Sequence, residues 1–306
     1  MNKIIKLIAS SLLIITFGVS PVFASEVEIT NQDSDFYISK GTEKSRDDQK
    51  KIMDQVEALK NTSLGEKNLI NYINSNIKYV SRGNANRMVL SIEDCQRKNY
   101  DKRVTSIFKG DIQYELTLSF KGRTQNFKSE YIKNKTAKNV VKNLEENGYV
   151  LYAEDGIYYP VTDYEKLSNY YNYISKDIRD YISIMKDDRK ICSKDGDWNI
   201  FFRGSTRCEG YINNYQDSIR YREIKDKYKE YARYYLYGIK GEVVFDFGTG
   251  RLRGDIKRSY FELSADELKK SRLGMKIIEY RRILQNGNFI LNDDIDRYRS
   301  AIINSI

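Results

Sequence analysis

Ile52, Met53, Val56 and Leu59 recur at helical spacing, and Leu69, Ile70, Ile73 and Ile77 repeat the pattern. This predicts two amphipathic helices separated by a turn over 61–65. The period then changes. Ile112, Tyr114, Leu116, Leu118 and Phe120 alternate strictly with Gln113, Glu115, Thr117 and Ser119, as in a strand with one wet face. A turn at 121–124, a returning strand through Phe127 and Tyr131 and a third strand over 103–109 complete a small antiparallel sheet. Thr136 is placed to cap a short helix that buries Val140, Val141 and Leu144 and ends at Gly148. Tyr149 to Glu154 and Ile157 to Val161 then flank Asp155-Gly156, the signal of a type I′ hairpin. Pro160 belongs near a sheet edge.

From Asp163 the helical period returns. Leu167, Tyr171, Ile174, Ile178, Tyr181 and Met185 form one continuous seam, and Tyr221, Ile224, Tyr228, Tyr231 and Tyr235 form another. Between them Cys192 and Cys208 bound a turn-rich loop carrying Trp198, Phe201 and Phe202. A short apolar run, Val243 to Phe245, follows Gly241. Ser264 with Glu267 predicts a capping box opening one helix through Ile277, Ile278, Ile283 and Leu284 to a stop at Gly287. Asn292 caps a last helix with Ile295, Tyr298, Ile302 and Ile303. The fold expected is α+β: N-terminal helices with a small antiparallel sheet, followed by a C-terminal helical bundle. The divisions are a signal over 1–24, a lead-in over 25–46, an α+β domain over 47–162 and a tyrosine-rich helical domain over 163–306. Twenty of the 26 tyrosines lie at or beyond Tyr149, so composition and period change together.

The 306 residues contain no histidine. That removes Ser-His-Asp and Cys-His catalysis, imidazole bases and His-ligated zinc. Residues 1–24 read as a secretory signal: Lys3 and Lys6 precede an apolar stretch from Leu7 to Val19, and Val22-Phe23-Ala24 supplies a cleavage site. A retained anchor fits less well, because spanning a bilayer takes about 20 apolar residues. The net charge is +9, two of which leave with Lys3 and Lys6. An exported cationic chain meets anionic wall polymers, lipids, extracellular nucleic acid or an extracellular protein partner. Most charges are interspersed, as in Arg220 to Glu230, and read as solvated helix surface. The densest cluster is Arg251, Arg253, Lys257 and Arg258, broken only by Asp255, and it is the candidate anion-binding patch.

Other chemistry is thinner. A Cys192–Cys208 bridge around 15 residues would add roughly 3 kcal/mol; the alternative is that Cys95, Cys192 and Cys208 are all reduced and act as small hydrophobes. Glu145, Glu146, Glu154 and Asp155 are the acids available for histidine-free glycoside hydrolysis, although Asp155 belongs to the turn and the glutamates to a helix end. Asp187, Asp188, Asp195 and Asp197 do not match a twelve-residue calcium loop. Gly248 to Gly254 matches neither phosphate-loop template and reads as a loop before a helix beginning near Arg251. Arg203-Gly204-Ser205-Thr206 has the flavour of a nicotinamide-cofactor toxin motif. No metal or cofactor is assigned. The seam tyrosines read as packing, whereas Tyr170, Tyr173, Tyr234 and Tyr237 fall off the seams and are the candidate partner contacts.

Three stretches, Gly156-Ile-Tyr-Tyr-Pro160-Val-Thr-Asp-Tyr164, Tyr228-x-x-Tyr231-x-x-Tyr234-Tyr-Leu-Tyr-Gly238 and Phe245-Asp-Phe-Gly-Thr-Gly250, together resemble uncharacterised exported proteins of low-GC Gram-positive bacteria. The resemblance covers 145–305 and implies export and a helical C-terminal region, with no activity. The expectation is a secreted or wall-associated, non-enzymatic interaction protein with a cationic surface. A secreted carbohydrate-active hydrolase or transferase using paired carboxylates is the alternative.

Overall fold

Side-chain caps set many of the helix starts. In the computed structural model, which describes residues 43–123, 127–191, 197–239 and 242–306, the Ser45 hydroxyl accepts from the Asp48 N–H and opens α1 (Arg46–Lys60). The expected signal and most of the lead-in lie outside these residues. The second predicted helix follows as α2 (Glu66–Asn76), burying Leu69 and Ile73.

The expected three-strand sheet is helical instead. Ser81 caps α3 (Arg82–Ile107), a 26-residue helix whose last turns run through the expected third strand. It packs against α1, α2, the later helix α5 (Lys135–Glu146) and a strand of the hairpin. The strictly alternating segment forms α4 (Ile112–Ser119). A period of two places every fourth residue on one side of a helix as well as of a strand. Ile112, Leu116 and Phe120 therefore bury together, while Tyr114 and Leu118 point outward at 62% and 54% exposure. The returning strand is replaced by a 3₁₀ turn (Ser129–Tyr131), with Phe127 buried against Phe120 and Tyr158. Asn134, rather than Thr136, caps α5, its side chain accepting from Thr136 and Ala137 N–H.

The hairpin forms in the expected register. β1 (Tyr149–Glu154) pairs with β2 (Ile157–Thr162), Leu151 opposite Pro160. Asp155 and Gly156 both have positive φ, 51° and 78°, as a type I′ turn requires. Beyond it the single predicted seam is broken into α6 (Tyr164–Leu167), a 3₁₀ turn (Ser168–Tyr170) and α7 (Lys176–Ile191). Asn86 of α3 holds the break: it accepts from Ser175 N–H at 2.9 Å and donates to Ser175 Oγ at 2.8 Å.

The loop expected around Trp198 is α8 (Asn199–Asn214), packed along α9 (Tyr221–Tyr237). A two-residue pair, β3 (Gly238–Ile239) and β4 (Glu242–Val243), leads to α10 (Gly254–Glu262). The Ser264–Glu267 capping box is present, but it opens only α11 (Ala265–Leu268). Ser271 starts a separate α12 (Arg272–Asn286), and Asn292 caps α13 (Asp293–Ser305). The fold is α+β, dominated by helices, with a helical C-terminal region.

Two buried clusters hold it together. The larger joins Leu69, Met88 and Ile92 to Tyr164, Ile178, Tyr235, Tyr260 and Ile277, so the core runs across residue 163, where a domain boundary was expected. The smaller joins Ile107, Leu116, Phe120 and Leu144 to the hairpin.

Candidate anion-binding face

The patch is built on a tight excursion between β4 and α10. Phe245 and Leu252 bridge across it, and the Asp246 N–H donates to Arg251 O at 2.8 Å. One Asp246 carboxylate oxygen accepts from Gly248 N–H (3.1 Å), Thr249 N–H (2.8 Å) and the Thr249 hydroxyl (2.9 Å). These bonds hold that carboxyl below the usual range. Gly250 closes the turn at φ +65°, a conformation that glycine adopts without a Cβ penalty. Phe247 is left at the tip, 91% exposed.

A third segment lies alongside. Leu252 N–H donates to Phe289 O and Leu291 N–H to Gly250 O, both at 2.8 Å, and Arg251 bridges to Ile290. To reach this position Asn288 and Phe289 adopt left-handed backbone, φ 51° and 60°, which costs about 1–2 kcal/mol each for L-residues. The Phe289 ring lies 3.4 Å from Lys257 Nζ and 5.9 Å from the Phe261 ring. Arg281 covers Phe261 at 5.4 Å.

The charges divide into two groups. Arg251, Lys257 and Arg258 are exposed and form no ion pair among the described residues. Arg253 is taken up by Asp255 at 2.7 Å and donates to Val243 O. Arg281 donates to the Tyr260 and Leu263 carbonyls that end α10, and burial lowers its pKa below the ordinary arginine value. Arg282 pairs with Glu279 at 3.0 Å. Three of the four predicted basic residues thus remain exposed, and Arg251 shares its loop with an apolar tip that the charge pattern alone does not reveal. In the sequence that tip is Phe247 inside Asp-Phe-Gly-Thr-Gly.

The four candidate contact tyrosines are packed and do not share an open face. Tyr170 is buried and donates to Asn74 Oδ1 at 2.7 Å. Tyr173 is half-buried against the main core. Tyr234 stacks edge-on to Phe201 and donates to Glu230. Tyr237 shares a hydrogen bond with Ser300 and lies under Arg299. Cys208 is a free thiol buried in α8, its pKa pushed up to about 12 by burial; Cys192 lies outside the described residues.

The candidate carboxylates are engaged. Glu145 accepts from Ser129 N–H and hydroxyl, and Glu146 pairs with Lys67 at 2.9 Å. Both line a cavity of about 280 Å³ with Asp163, Lys166 and Tyr170. There Asp163 caps α6 and Lys166 donates to Glu145 O. Glu154 and Asp155 end the hairpin. Asp187 and Asp188 pair with Arg207 and Lys227, Asp197 with Arg203, and Asp195 lies outside the described residues.

The densest polar cluster was not anticipated. Glu93 on α3 accepts from Tyr164 OH (2.5 Å), Tyr181 OH (2.6 Å) and Arg220 (2.7 Å). Tyr181 OH also reaches Glu223 at 3.0 Å, and Arg220 pairs with the same carboxylate at 2.9 Å. Burial and the facing carboxylate drive both tyrosine hydroxyls far above their ordinary pKa. The members come from four distant stretches of chain, and the only sequence signal was an acid on the buried stripe of a helix. Chemically the arrangement is a clasp: each carboxylate is answered by an arginine and a phenol, which fixes α3, α6, α7 and α9 to one another.

Among the described residues no helix is long and apolar enough to cross a membrane. Comparison with protein-family models, with curated proteins and with solved structures found no match to the chain.

Proposed function

We propose that the protein is an exported, non-enzymatic interaction protein that holds an anionic partner of the cell envelope through Arg251, Lys257 and Arg258. One observation carries the reading: Arg251 on the loop and Lys257 and Arg258 on the helix that follows it are exposed and have no acidic partner among the described residues, on a chain of net charge +9, or +7 once Lys3 and Lys6 leave. Opposite charges across such a face raise the rate of encounter and give salt-dependent retention. The signal-like segment over 1–24 and the resemblance to exported proteins support the address. The carboxylate reading draws less support, since Glu145 and Glu146 are already bonded to Ser129 and Lys67.

The test is retention on purified cell walls at rising salt, for the chain and for the triple variant Arg251→Glu, Lys257→Glu, Arg258→Glu. Retention at low ionic strength should fall steadily with salt and drop at least tenfold in the variant, since each charge near an anionic surface is worth about 1 kcal/mol. Absence of retention at low ionic strength would overturn the proposal.

A further inference from the structure

Charge alone does not account for this face. A polyanion in solution needs only cations, yet the loop carries Phe247 outward at 91% exposure, with Ile290 at 39% and Leu291 at 38% on the adjoining segment. The loop is tied at its base by the Asp246 bonds and by the Phe245–Leu252 bridge, so the ring is presented by a fixed scaffold. Resting on the reading above, we infer that this face docks on an anionic lipid bilayer, with Phe247 entering the headgroup region and Arg251, Lys257 and Arg258 meeting lipid phosphates.

The chemistry fits that occupant in two ways. An exposed aromatic ring on the same loop as an arginine unpaired among the described residues matches the layered profile of a bilayer surface, where apolar groups find acyl chains only ångströms below the phosphates. Lys257 suits this role: although exposed, its ammonium rests on the Phe289 ring, which holds the charge beside apolar surface. The left-handed backbone at Asn288 and Phe289 is what brings this ring and Ile290 up to the loop, and strain of this kind gathers at binding sites.

The experiment compares the chain with Phe247→Ser, Phe247→Trp and the triple charge-reversal variant. The probes are vesicles of equal parts phosphatidylglycerol and phosphatidylcholine, vesicles of phosphatidylcholine alone, and soluble poly(glycerol phosphate). Phe247→Ser should lose about tenfold in affinity for the anionic vesicles, the scale of burying most of one aromatic side chain, with its affinity for poly(glycerol phosphate) unchanged. Phe247→Trp should show blue-shifted emission, quenched by brominated lipid, with the anionic vesicles; the native Trp198, buried at 6% exposure, gives a background that the parent chain measures and that is subtracted. If the emission of Phe247→Trp is unchanged by anionic vesicles, or Phe247→Ser binds them as tightly as the parent, the inference is overturned while polymer binding stays intact. Loss of polymer binding in Phe247→Ser would also overturn it, making the ring a polymer contact. If the triple variant binds poly(glycerol phosphate) and vesicles as well as the parent does, the proposed function falls with the inference.

Discussion

Arg220 and Arg251 are the same residue put to opposite uses. Arg220 precedes α9, is 11% exposed, and meets Glu93, Glu223 and Asp94 within 4 Å. Arg251 lies on the rim of the Phe247 loop, exposed, with no acid paired to it among the described residues. In the first setting the cation has given up its water and is committed to neighbouring helices. In the second it keeps its water and its reach. A guanidinium's contribution is thus decided by what surrounds it, and a count of basic residues along the chain mixes the two kinds.

The sharpest way to break this contrast is to remove each cation and measure stability. Arg220→Ala leaves the buried Glu93 facing the half-buried Glu223 with only the more distant Arg97, at 3.6 and 3.8 Å, to offset them, and loss of one partner from a buried ion pair typically costs about 3–5 kcal/mol. Arg251→Ala should shift stability by no more than about 0.5 kcal/mol. Urea unfolding of the two variants measures both. A loss under about 1 kcal/mol for Arg220→Ala, well below the usual cost of breaking a buried ion pair, would show that the clasp is not holding the helices.

The same distinction explains which parts of the chain could be read in advance. The hairpin was legible because Asp155-Gly156 leaves the backbone one good turn, and α1, α2 and α9 were legible because apolar residues fill their inward stripes. The inward face of α3 also carries Glu93, Gln96, Asn99 and Arg103, all buried, so a search for apolar periodicity passes over it. Most of their polar atoms are partnered: Arg103 grips Glu66 at 3.0 and 2.7 Å, and Gln96 donates to Asn147 O and Gly148 O, leaving only its Oε1 without a bond among the described residues. The alternating segment of α4 was ambiguous in principle, since Ile112, Leu116 and Phe120 share a side in either geometry; the exposed Tyr114 and Leu118 are what the helix leaves over. In α8 the turn formers Gly204 and Ser205 are buried against neighbouring helices, a tertiary effect with no local trace. At the candidate site the cations were visible in sequence. Their apolar companions were not, because Phe289, Ile290 and Leu291 reach the loop from across α12.

The smallest effect sharpens the comparison from the acidic side of the clasp. Glu223 faces Glu93 from α3, Tyr181 from α7, and Arg220 and Arg97, which partly offset the crowding of two carboxylates. Burial first, then the charge of Glu93, raise its carboxyl above the ordinary value of 4.5. A group whose pKa is raised by folding favours the folded state while protonated, below its unfolded value. That contribution is lost as pH climbs through the folded value. Glutamine keeps the acceptor for Tyr181 and Arg220 without ever ionising. The melting temperature of Glu223→Gln relative to the parent should therefore rise as pH goes from about 4 to 7, because the parent alone develops a half-buried negative charge facing Glu93. A relative fall over the same range would mean that Arg220 and Arg97 outweigh both burial and Glu93, and that Glu223 contributes to the clasp as an ion.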